Sequence, residues 1–204
     1  MGRKLVFLYG VVAYLIFFAT FLYAIGFVGG VVVPKGIDDG TVGPLVPSIL
    51  VNVALLSVFA VQHTVMARPA FKQWWTRIIP GAAERSTFVV ATCLALGLIF
   101  WQWQPLPGII WDVQEPWLRG VIQGVSALGW AIVLYSSLLI DHFDLFGLRQ
   151  VTLHLRGIEY THHPFMERSL YRLVQHPLMT GFFIAFWATP TMTLGHLLFA
   201  AVVT

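Results

Sequence analysis

The chain has 204 residues, of which 58% are hydrophobic and only 10% charged, with a formal net charge of +3. A water-soluble domain carries about 25% charged residues, so this composition excludes an ordinary soluble globule and makes lipid the solvent. The single cysteine, Cys93, excludes an internal disulfide framework, and the positive charge sits in short loops between apolar runs, where it reports membrane orientation rather than a nucleic-acid partner.

The first apolar run, Leu5 to Val33, is uncharged and far longer than the roughly 7–15-residue apolar region of a cleavable signal. It reads as a retained membrane-spanning helix ended by Pro34. A spanning helix needs about 20 apolar residues, and further spans are predicted over 47–67, 87–103 and 118–140. The third is short, but Trp101 and Trp103 mark its end at headgroup level. A last apolar region starts after Pro177 and is interrupted at Pro190, giving short helices over 178–189 and 194–204. The expected fold is all-α, a polytopic integral membrane helical bundle of about five transmembrane segments. A short broken helical hairpin ends it, and 1–204 form a single membrane domain with a polar segment over 141–176.

Positive charge alternates between the loops. Arg3 and Lys4 precede the first helix, and the second loop carries Arg68, Lys72, Arg77 and Arg85. The 141–176 segment carries Arg149, Arg156, Arg168 and Arg172. The first loop has Lys35 beside Asp38 and Asp39, and the third, Gln104 to Trp117, has Asp112 and Glu115 without Lys or Arg. The positive-inside rule then puts the N-terminus, the second loop and 141–176 in the cytoplasm, with a bacterial inner membrane as the expected location. Trp74, Trp75, Trp111 and Trp117 fall at predicted interfaces, and Gly120 with Gly124 offers a small-xxx-small surface for close helix contact.

Six of the seven histidines map to the same side: His63, His142, His154, His162, His163 and His176. Gln62 and His63 lie near the membrane end of an apolar helix, where polar groups are costly and tend to have a partner. The stretch Asp141 to Gln150 follows the fourth helix without a break. If helical, it puts His142 and Arg149 on one face and Asp141 beside Asp144. That stripe suits either a solvated surface helix or one wall of a polar cavity. The histidine spacings are irregular and complete no ligand set, so no metal site is assigned. The segment Tyr171-Arg172-Leu173-Val174-Gln175-His176-Pro177-Leu178-Met179-Thr180-Gly181 leads into a short apolar helix. Pro177 stands at a natural first-turn position, and Gly181, one turn in, permits close approach of a ligand or another backbone.

This last segment resembles the Arg-His-Pro-x-Tyr-x-Gly element of the isoprenylcysteine carboxyl methyltransferase-like membrane methyltransferases. The match covers His176, Pro177 and Gly181, with Gln175 where Arg is usual and Met179 where Tyr is usual. The Gln62 to Pro69 stretch, Phe71 to Trp75, and Asp141 to Gln150 are similar to the nurim-like branch, and within it to the bacterial methanethiol S-methyltransferases. The resemblance implies transfer of a methyl group from S-adenosyl-L-methionine to a small thiol, methanethiol, giving dimethyl sulfide. Tyr171, Arg172, Gln175, His176, Pro177, Met179 and Gly181 are then the cofactor candidates. His142 is the first candidate for taking the thiol proton, since imidazole titrates near neutral pH. Asp144 is a candidate to orient it, Arg149 to stabilise thiolate, and His63 is the runner-up base. In the family, a further helix and a Glu-Glu segment complete the cofactor site. The run from Leu194 to Thr204 makes only about 16 Å of helix, so a C-terminally truncated form of a longer protein is expected. The partners implied are the small thiol and membrane lipid, with no obligate protein partner. The alternatives are a non-catalytic nurim-like or nitrite/nitric oxide reduction-associated membrane protein, and, further off, a haem or metal enzyme using the histidines.

Overall fold

Unbroken apolar runs fold as helices in lipid because only a helix satisfies its own backbone groups there. The computed structural model describes residues 2–161 and 169–204; His162, His163 and Arg168 lie outside the described residues. Among the described residues, four helical stretches are long and apolar enough to cross a membrane: Arg3–Gly29, Leu45–Ala67, Gly81–Gln102 and Pro116–Ile140. We label the elements α1 (Arg3–Gly29), α2 (Leu45–Ala67), α3 (Pro69–Trp75), α4 (Glu84–Gln102, entered by a 3-10 turn over Gly81–Ala83), β1 (Ile109–Asp112) and α5 (Pro116–Ile140). There follow α6 (His142–Leu145), α7 (Leu148–Arg156), a 3-10 turn over Ser169–Arg172, α8 (Pro177–Trp187), β2 (Thr191–Thr193) and α9 (Leu194–Val203). The protein is an all-α polytopic membrane bundle, and its C-terminal apolar region is the pair of short helices α8 and α9.

Two local boundaries differ from the sequence expectation. Helix α1 stops at Gly29 rather than at Pro34, because Gly30 adopts a left-handed conformation (φ +63°) and the Val31 amide returns to the Gly26 carbonyl at 3.1 Å. That is a glycine C-cap of the Schellman type. The fourth spanning helix does not run on through 141–150. Asp141 stands at φ +118° and Gly147 at φ +89°, so the chain breaks twice and forms α6 and α7 as separate short helices. The left-handed Asp141 is a strained position for a non-glycine residue; its side chain accepts from the Asp144 amide and caps α6. His142 and Arg149 therefore do not share one continuous helical face.

The chain divides into two compact units. The first comprises residues 1–22, 57–97 and 140–166. Its core holds Val6, Ala83 and Val151, with Phe7, Tyr9, Ile79 and Ala82 against them. A second cluster joins Phe88, Val89 and Cys93 to Phe17, Met66 and Phe146.

The second unit comprises residues 23–56, 98–139 and 167–204. Phe27, Trp103 and Phe199 form its aromatic centre, with Phe100 and Phe186 packed alongside. The β1 and β2 strands pair antiparallel, Ile109 opposite Thr193 and Asp112 opposite Thr191. Lys35 Nζ donates to the carbonyls of Trp101 and Trp103 at 2.8 and 2.9 Å, satisfying groups that the end of α4 leaves open. Asn52 bonds the backbone of Gln104 in both directions, at 2.8 and 2.9 Å. Helices α5 and α8 cross with backbones in contact: a Cβ on Gly129 would meet Ala185 N at 2.5 Å, and one on Gly181 would meet Gly129 O at 2.9 Å. The pair Gly120 and Gly124 has nothing within 4 Å of an added Cβ, so the close crossing of α5 is made at Gly129 instead.

Candidate functional site

Helix α1 carries Tyr14 among apolar residues, and the turn after α5 delivers His142 to it. The Tyr14 hydroxyl and His142 Nε2 share a hydrogen bond of 2.9 Å. His142 is only 5% exposed. Aromatic rings surround it: Tyr14, Phe17, Phe143 and Phe146 have centroids 5.7, 6.2, 5.5 and 4.9 Å from the imidazole. Burial pushes the imidazole below its ordinary pKa, and the nearby Asp141 carboxylate opposes that shift only in part. At neutral pH His142 is thus an uncharged base in an apolar, aromatic setting.

Asp144 does not reach His142. Its Oδ1 accepts from Arg149 Nη1 at 3.1 Å, and its Oδ2 accepts from the Tyr160 hydroxyl at 2.9 Å. Arg149 also donates to the Thr161 carbonyl at 2.8 Å and lies over the Tyr160 ring at 5.2 Å. Gln150 donates to the Asp144 carbonyl at 3.0 Å. This knot ties α6 and α7 to the residues after α7. Burial, then the bond to Asp144, pushes the Tyr160 phenol up to about 12, so it remains a donor across the neutral range. Among the described residues His142 bonds Tyr14, and Arg149 pairs with the Asp144 carboxylate.

His63 lies on α2 with its ring 5.6 Å from Phe59 and 5.0 Å from Phe88, on the exposed side of the first unit. Its neighbour Gln62 turns inward to Thr92 and Met66.

The Tyr171–Gly181 element belongs to the second unit. Pro177 starts α8 and is buried, and Arg172, Gln175, His176 and Met179 are exposed around that start, with Tyr171 half-buried. The Gly181 position, which the sequence leaves open to a ligand or a backbone, is filled by the backbone of Gly129 and the side chain of Val133. Exposed Arg172, Gln175 and His176 beside the open first turn of α8 fit a polar, charged ligand there. Among the described residues no group of three or more His, Cys, Asp or Glu side chains is placed to hold a metal ion.

Sequence reasoning missed Tyr14, Tyr160 and Gly129. The only signal for Tyr14 is a hydroxyl at depth in an apolar helix. Tyr160 and Gly129 carry none, since each acts through a partner distant in the chain.

The fold and these sites define a polytopic helical membrane protein with a buried histidine and a second polar element at a proline-initiated helix. No family model matches the chain, and no solved structure matches it. It is 54% identical to the methanethiol S-methyltransferase of Mycobacterium tuberculosis, over 98% of this chain and 82% of that protein. It is 54% identical to methanethiol S-methyltransferase 1 of Bradyrhizobium diazoefficiens, over 99% of this chain and 71% of that protein. Nurim of Sus scrofa is 32% identical over 77% of this chain and 64% of that protein. The chain belongs to the methanethiol S-methyltransferase family.

Proposed function

We propose that the chain transfers a methyl group from S-adenosyl-L-methionine to methanethiol, with His142 as the proton acceptor. The observation that carries this reading is the buried His142, fixed by Tyr14 and walled by Phe17, Phe143 and Phe146. Family membership supplies the reaction class, and the relatives' names supply the thiol.

S-adenosyl-L-methionine supplies an electrophilic methyl on a sulfonium. The attacking species is the thiolate. His142 takes the proton from sulfur while the sulfur lone pair forms the new C–S bond. The products are dimethyl sulfide, S-adenosylhomocysteine and a proton, which the imidazole passes on to water. Joining thiolate to sulfonium cancels both charges, so an aromatic, water-poor surround favours it over the separated ions. A neutral imidazole is the competent form, and burial keeps it neutral. Tyr14 holds the ring in orientation. Arg172, Gln175 and His176 at the start of α8 are the residues that address the donor's polar groups, while Pro177 and Gly181 set that helix in place. The alternation of positive loops supports an orientation with the N-terminus, α3 and α6–α7 in the cytoplasm, where the donor is found.

The test is a methyl-transfer assay on the protein in lipid nanodiscs, with dimethyl sulfide measured by gas chromatography. His142→Gln should lower turnover by a hundredfold or more, the scale of general-base catalysis. Near-normal turnover in that variant, with an unchanged pH profile, sinks the assignment of His142.

A further inference from the structure

A helix of four residues does not hold itself, because isolated helices shorter than about 12–15 residues are marginal. Helix α6, which carries His142 and spans His142–Leu145, must therefore be seated by its neighbours. At its start the Asp141 carboxylate accepts from the Asp144 amide. At its end the Leu145 carbonyl accepts from Arg85 Nε at 2.6 Å. Arg85 is the second residue of α4 and is half-buried. Its guanidinium lies over the Phe88 ring at 4.9 Å, and the carboxylates of Glu84 and Asp144 stabilise its charge. Phe88 in turn belongs to the cluster against which Phe17 and Phe146 pack. Those two rings are walls of the His142 site, 6.2 and 4.9 Å from the imidazole, and they stack on each other at 3.6 Å.

The next two residues of α4 hold the surroundings of the same helix. Ser86 lies against Gly147, two residues past α6: a Cβ on Gly147 would meet Ser86 Oγ at 2.7 Å and the Ser86 backbone nitrogen at 2.9 Å. Thr87 Oγ1 accepts from the Tyr9 hydroxyl at 3.0 Å, and Tyr9 stands on α1, the helix that bears Tyr14. The first turn of α4 thus touches both elements that meet in the Tyr14–His142 bond. Within that turn, among the described residues, Arg85 is the one that bonds α6 itself. A guanidinium suits this place because its N–H groups lie in the plane and its face lies across it. One bonds a carbonyl while the other rests on an aromatic ring.

We propose that Arg85 is a positioning residue for the methyl transfer, seating α6 through the Leu145 carbonyl and Phe88 so that His142 meets Tyr14 inside its aromatic walls. The inference rests on the reading of His142 as the proton acceptor. Among the described residues, the titratable groups that bear on His142 are the Tyr14 hydroxyl on α1 and the Asp141 carboxylate before α6. Asp144 is turned to Arg149 and Tyr160. On α4, Arg85 is held at Leu145, and the Cys93 thiol lies in the cluster that packs on Phe146. If α6 loosens, water reaches the imidazole and its pKa climbs back toward the ordinary value. The base also leaves its aligned position, so turnover falls even where the imidazole is neutral.

The experiment measures methyl transfer and the His142 titration on the full chain in lipid nanodiscs. The titration is followed by NMR of isotope-labelled histidine, with the His142 signal identified by its loss in His142→Gln. Arg85→Gln should lower kcat on the neutral plateau about tenfold or more, the scale of a small misplacement, with KM for methanethiol changed by less than about twofold. Its His142 titration should move up toward the ordinary value of about 6.5. Arg85→Lys keeps a cation and a donor but loses the flat contact with Phe88. Both changes should appear there at smaller size, which carries the test if Arg85→Gln does not fold. Loss of the Arg85 charge alone would move the titration and leave the plateau kcat parental. A general loss of folding would lower kcat and leave the titration in place. Either result overturns the inference. If His142→Gln shows its expected loss and both Arg85 variants match the parent, this inference fails and the proton-acceptor reading stands. Parental turnover in His142→Gln sinks both.

Discussion

The Tyr14 hydroxyl, midway along α1, lies 2.9 Å from Nε2 of His142, the first residue of α6. A hydroxyl inside an apolar helix is costly unless it has a partner, and here the partner is the imidazole proposed to take the thiol proton. Removing the hydroxyl should separate the two roles of this bond. Tyr14→Phe keeps the ring packing and loses one hydrogen bond, so unfolding free energy should fall by about 1 kcal/mol. In a full kinetic profile, kcat should drop several-fold with KM little changed. A variant with parental stability and parental kcat would show that the bond serves neither purpose.

The titration of His142 should appear in both activity and stability. Its folded pKa lies below the ordinary 6.5 because the ring is buried. The unfolded chain therefore binds the proton first as pH falls, so stability rises with pH through this window. The contribution is fully present above about 6.5. It is lost progressively as pH drops toward and through the folded value. The acid limb of kcat/KM, which reports the free enzyme, should likewise lie below 6.5 and vanish in His142→Gln. An acid limb at or above 6.5 would contradict a buried, neutral imidazole.

The glycines of α5 divide into two kinds. Gly129→Ala puts a methyl 2.5 Å from the Ala185 nitrogen, and overpacking of this sort costs about 1–3 kcal/mol. Gly181→Ala should cost a similar amount for the same reason. Gly120→Ala and Gly124→Ala add a methyl to open space and should leave stability unchanged or raise it by about 0.5–1 kcal/mol, the helix preference of alanine over glycine. Thermal unfolding of the four variants in one detergent checks the contrast. Equal losses at all four positions would show that Gly120 and Gly124 also pack closely.

Tyr160 should govern the alkaline side. Its phenol is pushed up to about 12, first by burial and then by its bond to Asp144. Because the folded value is raised, the stabilisation is fully present below about pH 10, the unfolded value. It is lost as pH rises toward and through the folded one. Tyr160→Phe should therefore flatten the decline of stability above pH 10, and Asp144→Asn, which lowers the folded value, should make that decline smaller and end it at lower pH. A parental pH curve in both variants would overturn this account.

The membrane spans were legible because an apolar run of spanning length folds as a helix whatever surrounds it. What ended each helix was less so. Proline at 34 looked like the stop for α1, but Gly30 turned left-handed first and capped the helix four residues earlier. Nothing in Asp141-His142-Phe143-Asp144 announces a break, since aspartate tolerates both helical and left-handed backbone. The structure takes the rarer choice at Asp141, and this turns His142 onto α1. The site residues were found by type rather than by partner. His142 is legible as a candidate base, but a hydrogen-bond partner for it sits at position 14, and Asp144, a candidate to orient it, pairs with Arg149 and Tyr160. Glycine spacing pointed at 120 and 124, whereas the contact that forms depends on where α8 lies, which no pattern within α5 encodes.

The crossing of Gly129 and Gly181 has a consequence for genetics. Its contacts include main-chain atoms on both sides: Gly181 O and Ala185 N face Gly129, and Gly129 O faces Gly181. Side-chain clashes elsewhere in a protein can be relieved by shrinking the neighbour, but a carbonyl or amide has nothing to shrink. A selection for second-site suppressors of Gly129→Ala should thus recover reversion, or changes that move a whole helix, and no compensating substitution at positions 181 or 185.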